Sequence, residues 1–305
     1  MGYGYEQVAP FVRSIRNSGF RGPVVLILDR RLDGEQLARL EAEGVTPHLV
    51  WNNSWLVVAN APFSRLARLA LRSPLGRWAL LRASPRTRLT LQSATNRRFL
   101  LYADLLVERP ELFAPAPWVF LTDVRDVYFQ GNPADAFGQA VDRVPLHLFA
   151  EGPPPGHDQG PAGTFRIRQG SSTIGWIRGL AGDSVAEQLA DERVICSGTI
   201  LVATPSLPEL STLMTELMAP LEPGRSTFGF DQGALNLLHY TGRLEALGTE
   251  VHDNGTGDLL TLGAISHDDS WSFEDGRVSV AGTSPSVVHQ YDRAPVLKAA
   301  WATGP

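Results

Sequence analysis

Residues 118–133, WVFLTDVRDVYFQGNP, decide the fold. The run 118–121 is apolar throughout, which is the pattern of a short buried strand. It ends in two carboxylates, Asp123 and Asp126, and carboxylates at the end of a buried strand cost free energy unless a partner neutralises them. A divalent cation is one such partner, because oxygen ligands suit Mg²⁺ or Mn²⁺. The other candidate partner is Arg125, which would pair with either carboxylate as a structural clamp.

Composition narrows the class of protein. The chain has 305 residues, 43% of them apolar, which suits one sizeable α/β domain. The net charge of −5 and the pI of about 5.8 argue against general nucleic-acid binding. Cys196 is the one cysteine, so no intrachain disulfide can form. No apolar run reaches the length of a secretory signal core or a membrane span, and we expect a soluble, cytoplasmic protein.

The N-terminal part alternates helix and strand patterns. An amphipathic helix is predicted over 5–18, and strands are predicted over 24–28 and 45–51 with a helix capped by Asp33 between them. Such alternation is typical of a layered α/β domain with parallel strands. We therefore predict that residues 1–305 form a single domain, a mostly parallel sheet flanked by helices.

Two segments are predicted to interrupt this domain. Residues 52–95 contain seven arginines and neither Asp nor Glu, and the part 63–82 has the pattern of a basic amphipathic helix. Such a helix can lie on an anionic membrane surface. The alternative is an ordinary surface helix whose arginines meet acidic groups elsewhere. Residues 151–165 are rich in Gly and Pro, which predicts a flexible loop.

Three later segments complete a pattern that extends over most of the chain. They are CSGTI at 196–200, DQGALN at 231–236 and VVHQY at 287–291. With DVRDV at 123–127, their order resembles the glycosyltransferases of the GT-A fold, in the form of the DxD region found in bacterial and plant members. It is similar, more distantly, to the retaining transferases of the glycogenin and galactosyltransferase type. The resemblance implies a GT-A-like fold and the transfer of a sugar from a nucleotide-diphosphate donor to an acceptor hydroxyl.

The same resemblance implies ligands and roles for individual residues. The cofactor would be Mn²⁺ or Mg²⁺, and the donor a UDP-sugar in preference to a GDP-sugar. The implied metal ligands are Asp123, Asp126 and His289. The residues implied in donor binding are Tyr3 and Tyr5 at the base, Arg97 or Arg98 at the diphosphate, Asp123 and Arg125 beside it, and Ser197 and Gly198 at the sugar. Asp231 and Gln232 would act in catalysis, the Asp on sugar hydroxyls and the Gln near the reacting carbon, which favours retention.

The chain departs from the family pattern at three places. The two carboxylates are one residue further apart than in D-x-D, so one of them would act through water or bind the ribose. Cys196 stands where the family often has Asn. The first strand of the family fold would already be ending at residues 1–5, so we expect it to be missing from this chain or the start to be assigned late.

Two other functions remain open on the same fold. One is a degenerate transferase that serves as a binding or partner module. The other is a sugar nucleotidyltransferase, which would need a basic, glycine-rich phosphate loop that residues 1–21 lack. For a transferase the acceptor is unknown, and the arginine-rich segment suggests an anionic or lipid-linked glycan. Peripheral contact at the inner membrane face would then run through 63–82, and no nucleic-acid partner is expected.

Overall fold

A computed structural model describes residues 4–28, 32–50, 73–90, 92–138, 140, 143–155, 165–169, 172–221, 229–256 and 258–302. The helices in these ranges are α1 (Tyr5–Asn17), α2 (Gly34–Ala42), α3 (Pro74–Arg82), α4 (Pro85–Thr90), α5 (Ala94–Glu108), α6 (Pro133–Phe137), α7 (Thr173–Ala181), α8 (Asp183–Gln188), α9 (Leu207–Met218), α10 (Phe230–Tyr240) and α11 (Pro295–Ala302). The strands are β1 (Val24–Leu28), β2 (Val45–Leu49), β3 (Trp118–Thr122), β4 (Val127–Phe129), β5 (Leu146–Ala150), β6 (Ile195–Ala203), β7 (Thr249–His252), β8 (Leu259–Thr261), β9 (Ser272–Glu274), β10 (Arg277–Ser279) and β11 (Val287–His289). Three sets of residues with predicted roles lie outside the described ranges, namely Tyr3, residues 52–72 of the basic insertion and residues 156–164 of the Gly/Pro-rich loop.

The N-terminal helices and strands form where their sequence patterns predict them. α1 buries one apolar face, which includes Phe11. β1 pairs with β2 in parallel, with Val24 opposite Val45. Asp33 caps α2, because its carboxylate accepts a hydrogen bond of 2.8 Å from the backbone N–H of Gln36. A parallel pair joined through a helix is the strand–helix–strand unit that the alternating pattern predicts.

The largest sheet has the strand order β3-β6-β5-β7. β6 runs antiparallel to both of its neighbours, with Ala203 opposite Trp118 in β3 and Val202 opposite Leu146 in β5. β5 and β7 run parallel. The predicted α/β class, with sheets flanked by helices, is confirmed. The expectation of a mostly parallel sheet is corrected, because the sheets are small and their strand directions are mixed.

A second sheet, β4-β11-β8, brings the C-terminal part of the chain against the stretch that follows β3. β11 is antiparallel to β4, so that His289 lies opposite Val127. It is parallel to β8, which places His289 beside Thr261. Residues 123–126 therefore pass from the first sheet to the second, with Asp123 leaving β3 and Asp126 entering β4.

Helices cover the large sheet on the side of the site. α5 packs against α9, and α10 packs against α7 and β6. At the edge of this sheet β3 and the separate strand β1 both line an apolar cavity of about 410 Å³. Within the described residues β1 pairs with β2 alone, and β3 with β6 alone. No helix in the described part of the chain is both long enough and apolar enough to cross a bilayer.

Candidate functional site

A cavity of about 630 Å³ opens where the two larger sheets meet. This volume lies in the range of about 300–1,000 Å³ that small-molecule sites occupy. Of the residues that the sequence points to, the cavity is lined by Arg98, Asp123, Arg125, Asp126, Ser197, Gly198, Asp231, Gln232 and His289. Five segments far apart in the sequence thus meet at one place.

Three side chains on the cavity wall form a candidate metal-binding cluster, namely Asp123, Asp126 and His289. One ligand atom from each lies within 4.8 Å of the others. The backbone N–H of Asp123 donates to the carbonyl of Gly198 at 2.9 Å, which fixes the turn after β3 to β6. The carbonyl of Asp126 accepts from the N–H of Tyr291 at 3.2 Å, just after β11. Backbone contacts to two other strands therefore hold both carboxylates in place.

A divalent cation fits this cluster on two observations. Nε2 of His289 is buried and has no hydrogen-bond partner among the described residues, although Oδ2 of Asp123 is 3.8 Å away. Gly198 leaves room beside these two atoms, because a Cβ there would come within 2.6 Å of the His289 ring and 2.8 Å of Asp123 Oδ2. Two carboxylates and one imidazole are a donor set that Mn²⁺ accepts.

The pKa values of the three cluster residues are shifted by burial and by neighbouring charges. Burial raises the pKa of Asp126 above its usual range. Burial also opposes ionisation of Asp123, but the nearby imidazole of His289 and guanidinium of Arg98 outweigh it, so the pKa of Asp123 is lowered. For His289, burial is outweighed by Cys196, Asp123 and Asp126, and its pKa lies well above the usual value. Without a cation, the imidazolium of His289 faces the two carboxylates, and the guanidinium of Arg98 adds a second positive charge at Asp123.

Arg98 connects this cluster to the second half of the cavity. Its Nη1 donates to Oδ1 of Asp123 at 2.9 Å, and its Nη2 is 2.5 Å from Oδ2 of Asp231 and 2.5 Å from the carbonyl of Ser197. The two carboxylates raise the pKa of Arg98 above its usual value despite burial. The sequence left Arg97 and Arg98 as alternatives. Both arginines line the apolar cavity, but of the two Arg98 alone also lines the site cavity, while Arg97 is 1% exposed.

Asp231 and Gln232 lie at the start of α10, on the wall of the site cavity. Asp231 is not the N-cap of this helix, because the N-cap is Gly229, which adopts a left-handed backbone (φ +85°). Asp231 is instead buried at 2% exposure, and its Oδ2 accepts from the hydroxyl of Ser197 at 3.3 Å. Nε2 of Gln232 donates to Thr173 Oγ1 at 3.4 Å.

Two other predicted residues have different surroundings from those expected. Tyr5 is buried in the N-terminal core and its hydroxyl donates to Glu43 at 2.5 Å, so the structure does not bring it to the cavity. Arg125 lines the cavity, but its Nη2 pairs with Oδ2 of Asp292 at 3.3 Å.

Glu151 is a cavity residue that the sequence reading missed. It directly follows β5 and lines the cavity, with Oε1 inaccessible to solvent and without a hydrogen-bond partner among the described residues. Burial raises the pKa of its carboxyl group. A signal was present, because LHLFA-E at 146–151 repeats the pattern of WVFLT-D at 118–123, an apolar strand that ends in a carboxylate.

Cys196 is the second residue of β6 and lies behind the metal-binding cluster. Its Sγ is 3.5 Å from Nδ1 of His289, and the residue is 1% exposed. Burial raises the pKa of the thiol, so the thiol is neutral near pH 7. This is the environment of a buried structural cysteine, and the contact of Cys196 with Nδ1 leaves Nε2 as the nitrogen of His289 that faces the cavity.

Comparisons with known proteins do not place the chain in a family. No protein-family model matches the sequence, and no curated protein matches it significantly. The function is therefore argued from the geometry of the cavity and from the order of its residues in the chain.

Proposed function

We propose that the protein is a metal-dependent glycosyltransferase of the GT-A type, which moves a sugar from a nucleotide-diphosphate donor to an acceptor hydroxyl with retention. One observation carries the proposal. The Asp123, Asp126 and His289 cluster opens into the same cavity as Asp231 and Gln232, a pair of the kind that binds sugar hydroxyls. A cation site beside a polar, sugar-sized pocket is what a diphosphate and a hexose require together.

The bound Mn²⁺ or Mg²⁺ would neutralise the departing diphosphate. The residues of the chain would then orient the donor sugar. Arg98 and Ser197 both contact Oδ2 of Asp231, at 2.5 and 3.3 Å, so this carboxylate, which would accept hydrogen bonds from sugar hydroxyls, is fixed before the donor binds. Gln232 follows on the same helix end, where Thr173 holds its amide. Preorganised groups of this kind lose little freedom on binding, and that is how positioning contributes to rate.

The donor would be a UDP-sugar, with a GDP-sugar as the second choice, and the acceptor an anionic or lipid-linked glycan at the inner face of the membrane. The described part of the basic segment agrees with a surface-binding role. In α3, Leu75 and Trp78 are 74% and 52% exposed, and the guanidinium of Arg82 lies 4.4 Å from the Trp78 ring centroid. An exposed aromatic next to arginine suits the headgroup region of an anionic bilayer.

Calorimetric titration tests the donor site. Wild-type protein is titrated with UDP and with GDP, each with and without Mn²⁺, beside the variant Asp126→Asn and the control Asp292→Asn. We expect binding of one nucleotide that depends on Mn²⁺, is lost in Asp126→Asn and persists in Asp292→Asn. Asp292 is a suitable control because it neighbours the cluster and pairs with Arg125, outside the ligand set.

The other outcomes separate the alternative functions. If neither nucleotide binds in the presence of Mn²⁺, the protein is a non-catalytic binding or partner module. Release of pyrophosphate from a nucleoside triphosphate and a sugar phosphate would identify a nucleotidyltransferase. Once a donor is found, a product with the opposite anomeric configuration would contradict retention, which NMR of the product measures directly.

A further inference from the structure

A second cluster of metal-binding side chains lies outside the cavity, at the edge of the large sheet. His147 is in β5, and Glu250 and His252 are in β7, the edge strand parallel to it. His147 is paired with Glu250 in the register, and residues two apart on a strand share a face. All three side chains therefore project from the same face of the sheet. One ligand atom from each lies within 4.8 Å of the others.

The separations of the ligand atoms suit a small tetrahedral ion. Nδ1 of His147 is 2.9 Å from Nε2 of His252 and 3.7 Å from Oε2 of Glu250. Zinc binds imidazole nitrogen at about 2.0–2.1 Å in tetrahedral geometry, which sets neighbouring ligand atoms about 3.3 Å apart. The two observed separations lie on either side of that value. Binding of the ion requires the two imidazole nitrogens to move apart by about 0.4 Å, a small rotation of the side chains.

The surroundings hold the ligands and leave one side open to solvent. The side chain of His147 is 1% exposed and that of Glu250 is 47% exposed. The ring of Phe149 stacks on His252 at a centroid distance of 5.3 Å, which fixes the imidazole. Nε2 of His147 has no hydrogen-bond partner among the described residues, so its polar contacts run through Nδ1. Two imidazoles and a carboxylate, with a fourth position left for water, are a ligand set that zinc uses.

We propose that His147, Glu250 and His252 form a binding site for Zn²⁺ or a similar divalent transition metal, which ties the edge strand β7 to β5. An edge strand has an unpaired side and is the part of a sheet that opens most easily. β5 leads directly into Glu151 of the cavity. β7 leads into Asn254, whose amide donates to the carbonyl of Gly152 at 2.6 Å. A metal that joins the two strands stabilises both connections to the cavity.

Cobalt titration tests the site without any nucleotide, so its result does not depend on the proposed transferase activity. The full chain carries Asp126→Asn, which removes a ligand of the cavity cluster. Co²⁺ is the probe, because coordination geometry distinguishes a tetrahedral nitrogen site from an octahedral oxygen site, and visible absorption reports that geometry. We expect a tetrahedral Co²⁺ spectrum that saturates at about one equivalent and is displaced by Zn²⁺.

Two ligand variants and two matched controls decide the outcome. We expect His252→Phe to abolish the tetrahedral spectrum, while its ring preserves the stacking on Phe149. Glu250→Gln should weaken Zn²⁺ binding by at least about tenfold, since even outer-shell changes cost that much. The same substitutions at exposed positions, His267→Phe and Glu274→Gln, should leave the tetrahedral spectrum and the affinity for Zn²⁺ unchanged.

Two results overturn the proposal. The first is the absence of a tetrahedral spectrum in the parent protein, and the second is a spectrum that survives His252→Phe. In either case the two histidines form a hydrogen bond only. Circular dichroism without metal shows whether each variant folds. If His252→Phe does not fold, Glu250→Gln decides alone, because its side chain is half exposed and the change keeps its shape.

Discussion

The substitution Asp126→Asn should change the stability of the protein in opposite directions with and without Mn²⁺. In the metal-free protein, burial raises the pKa of Asp126, so the folded state favours the protonated form. A group with a raised folded pKa contributes stability at low pH and loses it as the pH rises through that pKa. At neutral pH the ionised carboxylate therefore costs free energy, and the neutral amide does not. We expect the metal-free variant to melt at or above the temperature of the wild type.

With Mn²⁺ the order reverses, and the size of the effect follows from the length of the chain. Binding stabilises the folded state by about 2.7 kcal/mol at a free metal concentration of 100 Kd. Unfolding entropy is about 2.1 cal/mol/K per residue, or about 0.64 kcal/mol/K for the 305 residues. The melting temperature of the wild type should then rise by about 4 °C. Asp126→Asn removes one of three ligands, and its rise should stay below about 1 °C.

Differential scanning fluorimetry over a series of Mn²⁺ concentrations measures both effects. Asp292→Asn is the control, because the same chemical change is made beside the cluster, at a residue that pairs with Arg125. It should keep the full rise. The reasoning fails if Asp126→Asn keeps the rise of about 4 °C, or if the control loses it equally. General damage to the fold lowers both melting curves and does not produce the crossing.

Three further predictions concern the same cavity. Gly198→Ala should abolish the Mn²⁺-dependent rise in melting temperature, because the added Cβ would come within 2.6 Å of the His289 ring. The control Gly175→Ala should keep the rise, because a Cβ there meets nothing within 4 Å. A retained rise in Gly198→Ala would place the metal elsewhere. Glu151→Gln should be more stable than the wild type, by a margin that grows as the pH rises above the usual glutamate pKa of 4.5, because burial raises the pKa of Glu151 in the folded state. A margin that stays constant in melting curves from pH 4 to 8 would refute this. Arg98→Met should lower the free energy of unfolding in urea by about 3–5 kcal/mol, because it removes the guanidinium that pairs with both Asp123 and Asp231, and a loss below about 1 kcal/mol would contradict the bridging role.

The sequence pointed to Asp123 and Asp126 as candidate metal ligands because they border the apolar runs 118–121 and 127–129, whereas His289 was implied by the family resemblance. Such a run is read as a strand, and a polar residue after it must lie near the sheet edge. What the sequence could not supply is the contact between distant strands. His289 meets Asp126 only because β11 pairs with β4, and no local pattern specifies that pairing. In the sequence reading, the resemblance to a known family supplied the expectation that these residues meet.

The errors of the sequence reading have physical causes of the same kind. The burial pattern of β6 indicates a buried strand but carries no sign of its direction, so the mixed sheet was not predicted. Arg97 and Arg98 are adjacent in the sequence, and successive residues of a helix point about 100° apart, so only packing separates them. Glu151 begins a Gly/Pro-rich segment. The turn signals of that segment predict a loop, so the sequence reading did not single out this carboxylate, which lines the cavity.

The arrangement around Arg98 makes the two halves of the cavity one electrostatic unit. Its guanidinium contacts Asp123 in the candidate metal-binding cluster and Asp231 at the start of α10, at 2.9 and 2.5 Å. A cation bound to Asp123 competes with Arg98 for the same negative charge. As that contact weakens, the guanidinium interacts more strongly with Asp231 and with any anionic group that enters the cavity. Binding of the metal and binding of the diphosphate would therefore be coupled through Arg98, because charges this close in a partly buried site interact with energies of several kcal/mol.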